Sequence, residues 1–411
     1  MYISAFNLMP HRDLPPDFEN RYQSIWVTPR FHELLDAKRA GEYYNWTLDE
    51  LIAAANAGAD GICTNEHHQN AYGFMPSPNL MGSILARETQ GMNCAIVQMG
   101  ATLVAVQPPV RIAEEYAMLD CISGGRLVAG MPLGTSMDMN LCYGITPIEQ
   151  RDRYREANEL IVKSWTSREP FAWNGKYTQL PTVNLWPRPI QEPHPPIWIP
   201  GGGSTSTYAY AAERDYCYCF LSYFGYKSAE HSVKKYWEVC QQKGRDSNPY
   251  RLGFLQLIGV SETDAQAEKD YAKHVEYFYH KGLHVPGEWL GTPGYQDYQS
   301  MANSFRNPMI ADAVNSLKKK RYKDLLNDRF VACGSPATVR DMLKELAGSL
   351  HVGNLMVLLQ IGSMPHELAL KNTDLFFREV APALRPIWDD EWENRWWPAG
   401  LRKTSLRGAN V

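Results

Sequence analysis

The 411 residues suffice for one large barrel or two ordinary domains, and 44% hydrophobic against 21% charged residues is the balance of a globular protein. A formal net charge of −4 provides no basic field for a nucleic-acid backbone, and no run of about 18 apolar residues offers a membrane span. The first ten residues lack the features of a signal peptide, and the eight cysteines form neither a CxxC pair nor a Cys/His cluster of zinc spacing, so a cytoplasmic protein without a metal is expected.

Residues 2–8 read as a short apolar strand, followed by a loop over 9–46 rich in Pro, Arg and aromatics. A loop of that length in a compact domain is expected to be functional or a lid. Thr47 and Glu50 have the spacing of a capping box for a helix through Leu51, Ile52 and Ala55, closed by Gly58. A buried strand over 62–64 then runs into three ionisable residues, Glu66, His67 and His68. Pro78 starts a helix with Leu80, Ile84 and Leu85; residues 95–102 form a strand with small and apolar residues on both faces. Pro109 opens a helix that Gly124-Gly125 stops, and a strand follows over 127–131. An amphipathic helix over 149–165 and a Pro-rich connection over 181–196 lead to a strand over 197–199. Gly201-Gly202-Gly203-Ser204-Thr205-Ser206-Thr207 comes next, at the start of another helix. Further strands are expected over 217–221, 252–260 and 354–360, with helices opening at Pro336 and running over 367–380. Cys217 and Cys219 share a strand face and read as core thiols.

Eight strands, each followed by helical sequence, predict an α/β fold of the (β/α)8 TIM-barrel type. An open doubly wound sheet is disfavoured because no GxGxxG follows the first strand. Two segments exceed the minimal barrel. Residues 279–328, before the eighth strand, form a long insertion that reads as a lid. Residues 386–411 form a C-terminal extension whose Trp392, Trp396 and Trp397 are expected to dock on a neighbouring subunit, in a homodimer or larger homo-oligomer.

In a parallel barrel the carboxyl ends of the strands carry the chemistry, which draws attention to Glu66-His67-His68. Adjacent residues on a strand point to opposite sides, so the two histidines do not suit one metal. The glycines, hydroxyls and helix start of residues 201–207 suit a phosphate, without the GK[ST] of a nucleoside-triphosphate loop. The alternative there is an ordinary loop with Ser204 as helix cap. His11, His32, His351 and His366 read as loop or surface residues.

These pieces, in this order, resemble the bacterial luciferase-like, flavin-dependent monooxygenases. The matching stretches are 59–62 through Glu66-His67-His68, 109–115 with 119–120 and 123–127, 150–154, and 193–199 leading into Gly201-Gly202-Gly203. The resemblance covers roughly residues 2–385, leaving 279–328 and 386–411 outside it, and implies a luciferase-like barrel domain over 1–385. It implies FMN at the carboxyl face of the barrel, reacting in its reduced form with oxygen to give a C4a-peroxide that oxidises a small, largely apolar organic substrate. No dinucleotide-binding motif is present, so a separate flavin reductase is the expected partner. His67 takes the place of the family's catalytic histidine. Gly203, Ser204, Ser206 and Thr207 take the phosphate segment, Tyr154 a phosphate or flavin contact, and Thr102 a place near the isoalloxazine. Met131 and Pro132 stand where the luciferases carry a reactive Cys and an Arg, which speaks against light emission from a long-chain aldehyde. A deazaflavin-dependent dehydrogenase on the same barrel is the alternative, and a non-catalytic flavin-binding relative a third reading.

Overall fold

The computed structural model describes residues 1–221, 223–290, 316–317, 319–389 and 391–403. Eight parallel strands close into a barrel: β1 (Tyr2–Phe6), β2 (Gly61–Thr64), β3 (Ala95–Gln98), β4 (Leu127–Gly130), β7 (Ile197–Gly201), β8 (Cys217–Phe220), β9 (Leu252–Val260) and β11 (Asn354–Leu358). Closure comes from β11 pairing with β1 on one side and from β8 pairing with β9 on the other. The eight expected barrel strands are thus all present, joined by helices on the outside. Among the described residues no helix is long and apolar enough to cross a membrane.

Strand alternation divides the core into two layers. In β2, Ile62 packs outward with Leu51, Leu85 and Ile96, while Cys63 points into the barrel with Phe6, Val97, Trp198 and Leu255. Cys217 and Cys219 are both in the inner layer and fully buried, as their spacing predicts, and burial pushes the Cys219 thiol well up.

Four stretches depart from expectation. The helix over Ala37–Asn56 begins ten residues before Thr47, capped by Asp36, whose carboxylate accepts from Arg39 N. Thr47 and Glu50 therefore lie mid-helix, and Glu50 forms no capping box; it is buried against Arg12 at 2.9 Å. The supposed long loop before it contains the short helices Phe18–Arg21 and Phe31–Leu34. A two-stranded antiparallel hairpin, β5 (Phe171–Asn174) with β6 (Gln179–Val183), occupies part of the Pro-rich connection. A ninth parallel strand, β10 (Val331–Gly334), pairs with the upper half of β9, above the half that pairs with β8. Most of the expected lid, residues 291–315 and 318, lies outside the described residues, as do residues 404–411 of the tail.

The tail, as far as Lys403, packs on this chain. It folds under its own barrel, at the amino ends of the strands. Trp397 is 1% exposed and packs on Tyr2 and Trp198, with ring centroids 4.9 and 5.7 Å away. Trp396 donates its indole N–H to the Asp215 carbonyl, and its own carbonyl accepts from Trp198 Nε1. The guanidinium groups of Arg251 and Arg395 lie over its ring, at 4.7 and 4.1 Å. Both arginines also bind Asp215 and Asp246.

This clasp has a pH signature. The hydrogen bond from Arg395, helped by Arg251 and opposed by burial, holds Asp246 down at about 2. A carboxylate depressed in the folded state stabilises above its ordinary value near 3.9, and that contribution is lost as the pH falls through the folded value. Asp246→Asn should therefore flatten the fall in urea midpoint between about pH 4 and pH 2. Parallel pH profiles for the two proteins would show that the clasp does not hold the tail.

Candidate functional site

The chain past β2 keeps its alternation, and the ladder runs on, with Thr64 O accepting from Met99 N at 2.8 Å. Glu66 and His68 fall on one side. Glu66 Oε1 lies 2.6 Å from His68 Nε2, its Oε2 accepts from Thr102 N at 2.7 Å, and Tyr143 Oη lies 3.1 Å from His68 Nδ1. Both ring nitrogens of His68 are thus committed. Glu66 ties the exit of β2 to the exit of β3.

His67 falls on the other side. Its Nδ1 lies 2.9 Å from Asp138 Oδ2, and Asp138 sits on a π-helical turn, Met137–Cys142, after β4. Asp138 is 2% exposed and also accepts from His68 N, Trp26 Nε1 and Thr135 Oγ1, at 2.8, 3.2 and 2.7 Å. Burial works to raise its carboxyl, but the His67 charge and hydrogen bond, with His68 N–H and Thr135, outweigh it and hold the group below its ordinary value. An ionised Asp138 can only accept, so Nδ1 carries the hydrogen and Nε2 is left to take or give a proton. Nε2 has no hydrogen-bond partner among the described residues, and the His67 side chain stays 13% exposed. Trp26 and Tyr72 wall the ring edge-on at 5.4 and 4.8 Å, and Tyr72 stacks obliquely on Trp26 at 4.1 Å.

The second pole lies at the end of β7. Gly203 turns the backbone at φ +114°, a left-handed conformation that favours glycine, and Ser204 stands at the N-cap position of the nine-residue helix Thr205–Glu213 without a side-chain capping bond. Ser204 Oγ lies 2.9 Å from Ser206 Oγ and accepts from Arg151 Nη2 at 3.2 Å. Thr207 lies one position further into the same half-buried first turn. Hydroxyls, a guanidinium and a helix amino end together suit a dianionic phosphate. Thr102 is buried, tied by its N–H to Glu66, and follows Ala101, whose φ is +66°. Tyr154 is buried in the wall, where its hydroxyl donates to the Met131 carbonyl at 2.8 Å rather than facing the mouth.

Sequence reasoning missed Asp138, Arg151, Trp26 and Tyr72. Arg151 is inside the 150–154 motif, three residues before Tyr154, and a search for a phosphate cation would have found it. Of the four histidines read as loop or surface residues, His366 Nδ1 binds Glu50 at 3.1 Å, while His11, which is buried, and His351 bind the carbonyls of Leu34 and Ser247. Arg126 is structural, spending its guanidinium on Thr89, Cys94, Ala86 and Ser123.

The family model described as luciferase-like monooxygenase matches residues 24–351. The oxygenase component of the flavin-dependent trigonelline monooxygenase of Acinetobacter baylyi is 29% identical over 166 residues, 40% of this chain and 45% of that protein, so the match spans under half of that relative. The 2,5-diketocamphane 1,2-monooxygenase 2 of Pseudomonas putida is 26% identical over 334 residues, 76% of this chain and 85% of that one. Among solved structures, the oxygenating constituent of the 3,6-diketocamphane monooxygenase of Pseudomonas putida, a type II Baeyer-Villiger monooxygenase in complex with FMN, superposes with a TM-score of 0.67 at 19% identity, covering 93% of this chain and 98% of that one. At that identity the likeness concerns the fold.

Proposed function

From the premise that this chain belongs to the luciferase-like monooxygenase family, we propose that it is the oxygenase component of a two-component FMN-dependent monooxygenase acting on a small, largely apolar organic molecule. The observation that carries the reading is the His67–Asp138 pair, walled by Trp26 and Tyr72, on the same barrel rim as the Arg151–Ser204–Ser206 cluster. Reduced FMN from a separate reductase supplies the two electrons with which oxygen places one atom in the substrate and leaves the other as water.

The rest is the work of this chain's residues. Arg151, Ser204, Ser206 and Thr207, with Gly203 shaping the turn, would hold the phosphate of FMN. Thr102 would contribute to the ring site, and Tyr154 braces the wall through the Met131 carbonyl. Asp138 fixes the imidazole of His67, whose Nε2 moves a proton at the reacting edge. The aromatic wall keeps water away from the reactive centre, which otherwise would release hydrogen peroxide.

The test is oxygen uptake by the purified chain with chemically reduced FMN and a panel of ketones, amines and sulfonates. The expected result is substrate-dependent uptake with one atom of the oxygen found in the product or cleavage products. Uptake that is indifferent to every substrate, together with tighter binding of a deazaflavin than of FMN, would replace this reading with the dehydrogenase one. Arg151→Met should weaken FMN binding about 10- to 100-fold and leave riboflavin binding unchanged, the effect of one charge-assisted contact to the phosphate. Equal losses for both flavins would remove Arg151 from the phosphate site.

A further inference from the structure

Asn65 lies two residues before His67 and is 5% exposed. Neither its Oδ1 nor its Nδ2 has a hydrogen-bond partner among the described residues, and no other side chain there has two such atoms. Exchanging the assigned oxygen and nitrogen changes nothing, since both positions are unfilled. A buried amide left in that condition costs more than a leucine of the same size would.

Its position says what it faces. Cys63 points into the barrel, and alternation puts Asn65 and then His67 on that same face. With the chain continuing extended past the end of β2 at Thr64, Asn65 lies about 7 Å below His67. A second unfilled group lies in the same layer. Gln360 is 2% exposed, gives its Nε2 hydrogen to the Gly362 carbonyl, and has an Oε1 without a partner among the described residues. In the sheet, Leu358 lies beside Phe6 and Phe6 beside Cys63; continuing that register two residues past the ends of the paired strands puts Gln360 and Asn65 on either side of Leu8.

We propose that Asn65, with Gln360 beside it, is the recognition element at the floor of the pocket under His67, and that it takes the amide-type edge of a bound ring, an N–H next to a C=O. The inference rests on the oxygenase reading and deepens it. A primary amide with donor and acceptor both open is matched by such an edge through two parallel hydrogen bonds, whereas a ketone or hydrocarbon leaves one or both unfilled. That edge has two sources, the pyrimidine ring of the flavin or a lactam, imide or amide substrate.

The experiment measures binding without turnover, comparing the wild type with Asn65→Leu, which keeps the volume, and Asn65→Asp, which keeps the acceptor; thermal melting verifies that each is folded. Oxidised FMN is titrated against N3-methyl-FMN, and a lactam against the cyclic ketone of the same ring size. A flavin edge predicts that the wild type prefers FMN to its N3-methyl form by about tenfold or more and that Asn65→Leu binds the two alike. A substrate edge predicts no such flavin preference but a similar preference for the lactam, lost in Asn65→Leu. Absence of both preferences in the wild type, or their persistence in Asn65→Leu, overturns the proposal. If the wild type binds neither oxidised nor reduced FMN, the oxygenase reading falls, and the lactam arm, which needs no flavin, still decides the role of Asn65.

Discussion

Replacing His67 with alanine should lower substrate oxygenation about 10²- to 10⁴-fold while FMN binding and thermal stability stay close to wild type. The rate range is what a positioned acid-base group contributes. Stability should hold because the ring sits at the pocket surface with its Nε2 uncommitted, so its removal strands only the Asp138 contact at 2.9 Å. Asp138 keeps three further donors, from His68, Trp26 and Thr135. Asp138→Asn should cost less and in a different way. It removes the negative charge beside the imidazolium and frees the ring to choose its tautomer, so the pH–rate profile should move toward lower pH. The double variant should be little worse than His67→Ala alone, since residues that act as a unit are not additive. Additive losses, or a profile unmoved in Asp138→Asn, would mean that Asp138 merely holds the turn after β4 in place.

The barrel was legible because its strands are short apolar runs bounded by turn residues, and continuous burial makes that pattern strong in β9, where all nine residues are inside. The hairpin β5–β6 escaped although Asn174-Gly175 between alternating residues is a turn signal, because the prolines after it read as connection. Strand β10 escaped because four residues carry no period and it adds to a barrel already complete at eight. The early start of the helix Ala37–Asn56 was hidden by its aromatic and charged first half, in which Tyr43 and Trp46 stack on the long loop rather than forming an apolar stripe. In the site, His67 could be singled out from the order of local motifs. Asp138 could not: it stands 71 positions away, in a turn of irregular hydrogen bonding, and only the closed barrel brings the exits of β2 and β4 together. Asn65 shows the same limit. Nothing in the sequence marks an asparagine whose significance is the lack of a partner.

Trp397→Ala should lower the stability of the whole barrel by about 3–5 kcal/mol, the usual cost of deleting a buried large aromatic side chain. Native domains are stable by about 5–15 kcal/mol, so about a fifth or more of the margin should go. The ring is in the inner layer with Tyr2 and Trp198, which belong to β1 and β7, and it faces Gly61 at the start of β2. Its loss would open a cavity beneath three strands at once. Trp396 would lose its setting as well, since its carbonyl accepts from Trp198. The urea midpoint should fall while kcat per folded site is unchanged, because the tail seals the amino end of the barrel and the catalytic rim is at the carboxyl end. The same variant tests how the tail is used. If it packs on its own barrel, the midpoint shift is independent of protein concentration. If it instead packed on a neighbouring subunit, the variant would dissociate in sedimentation and its midpoint would rise with concentration, as for any stability shared between protomers.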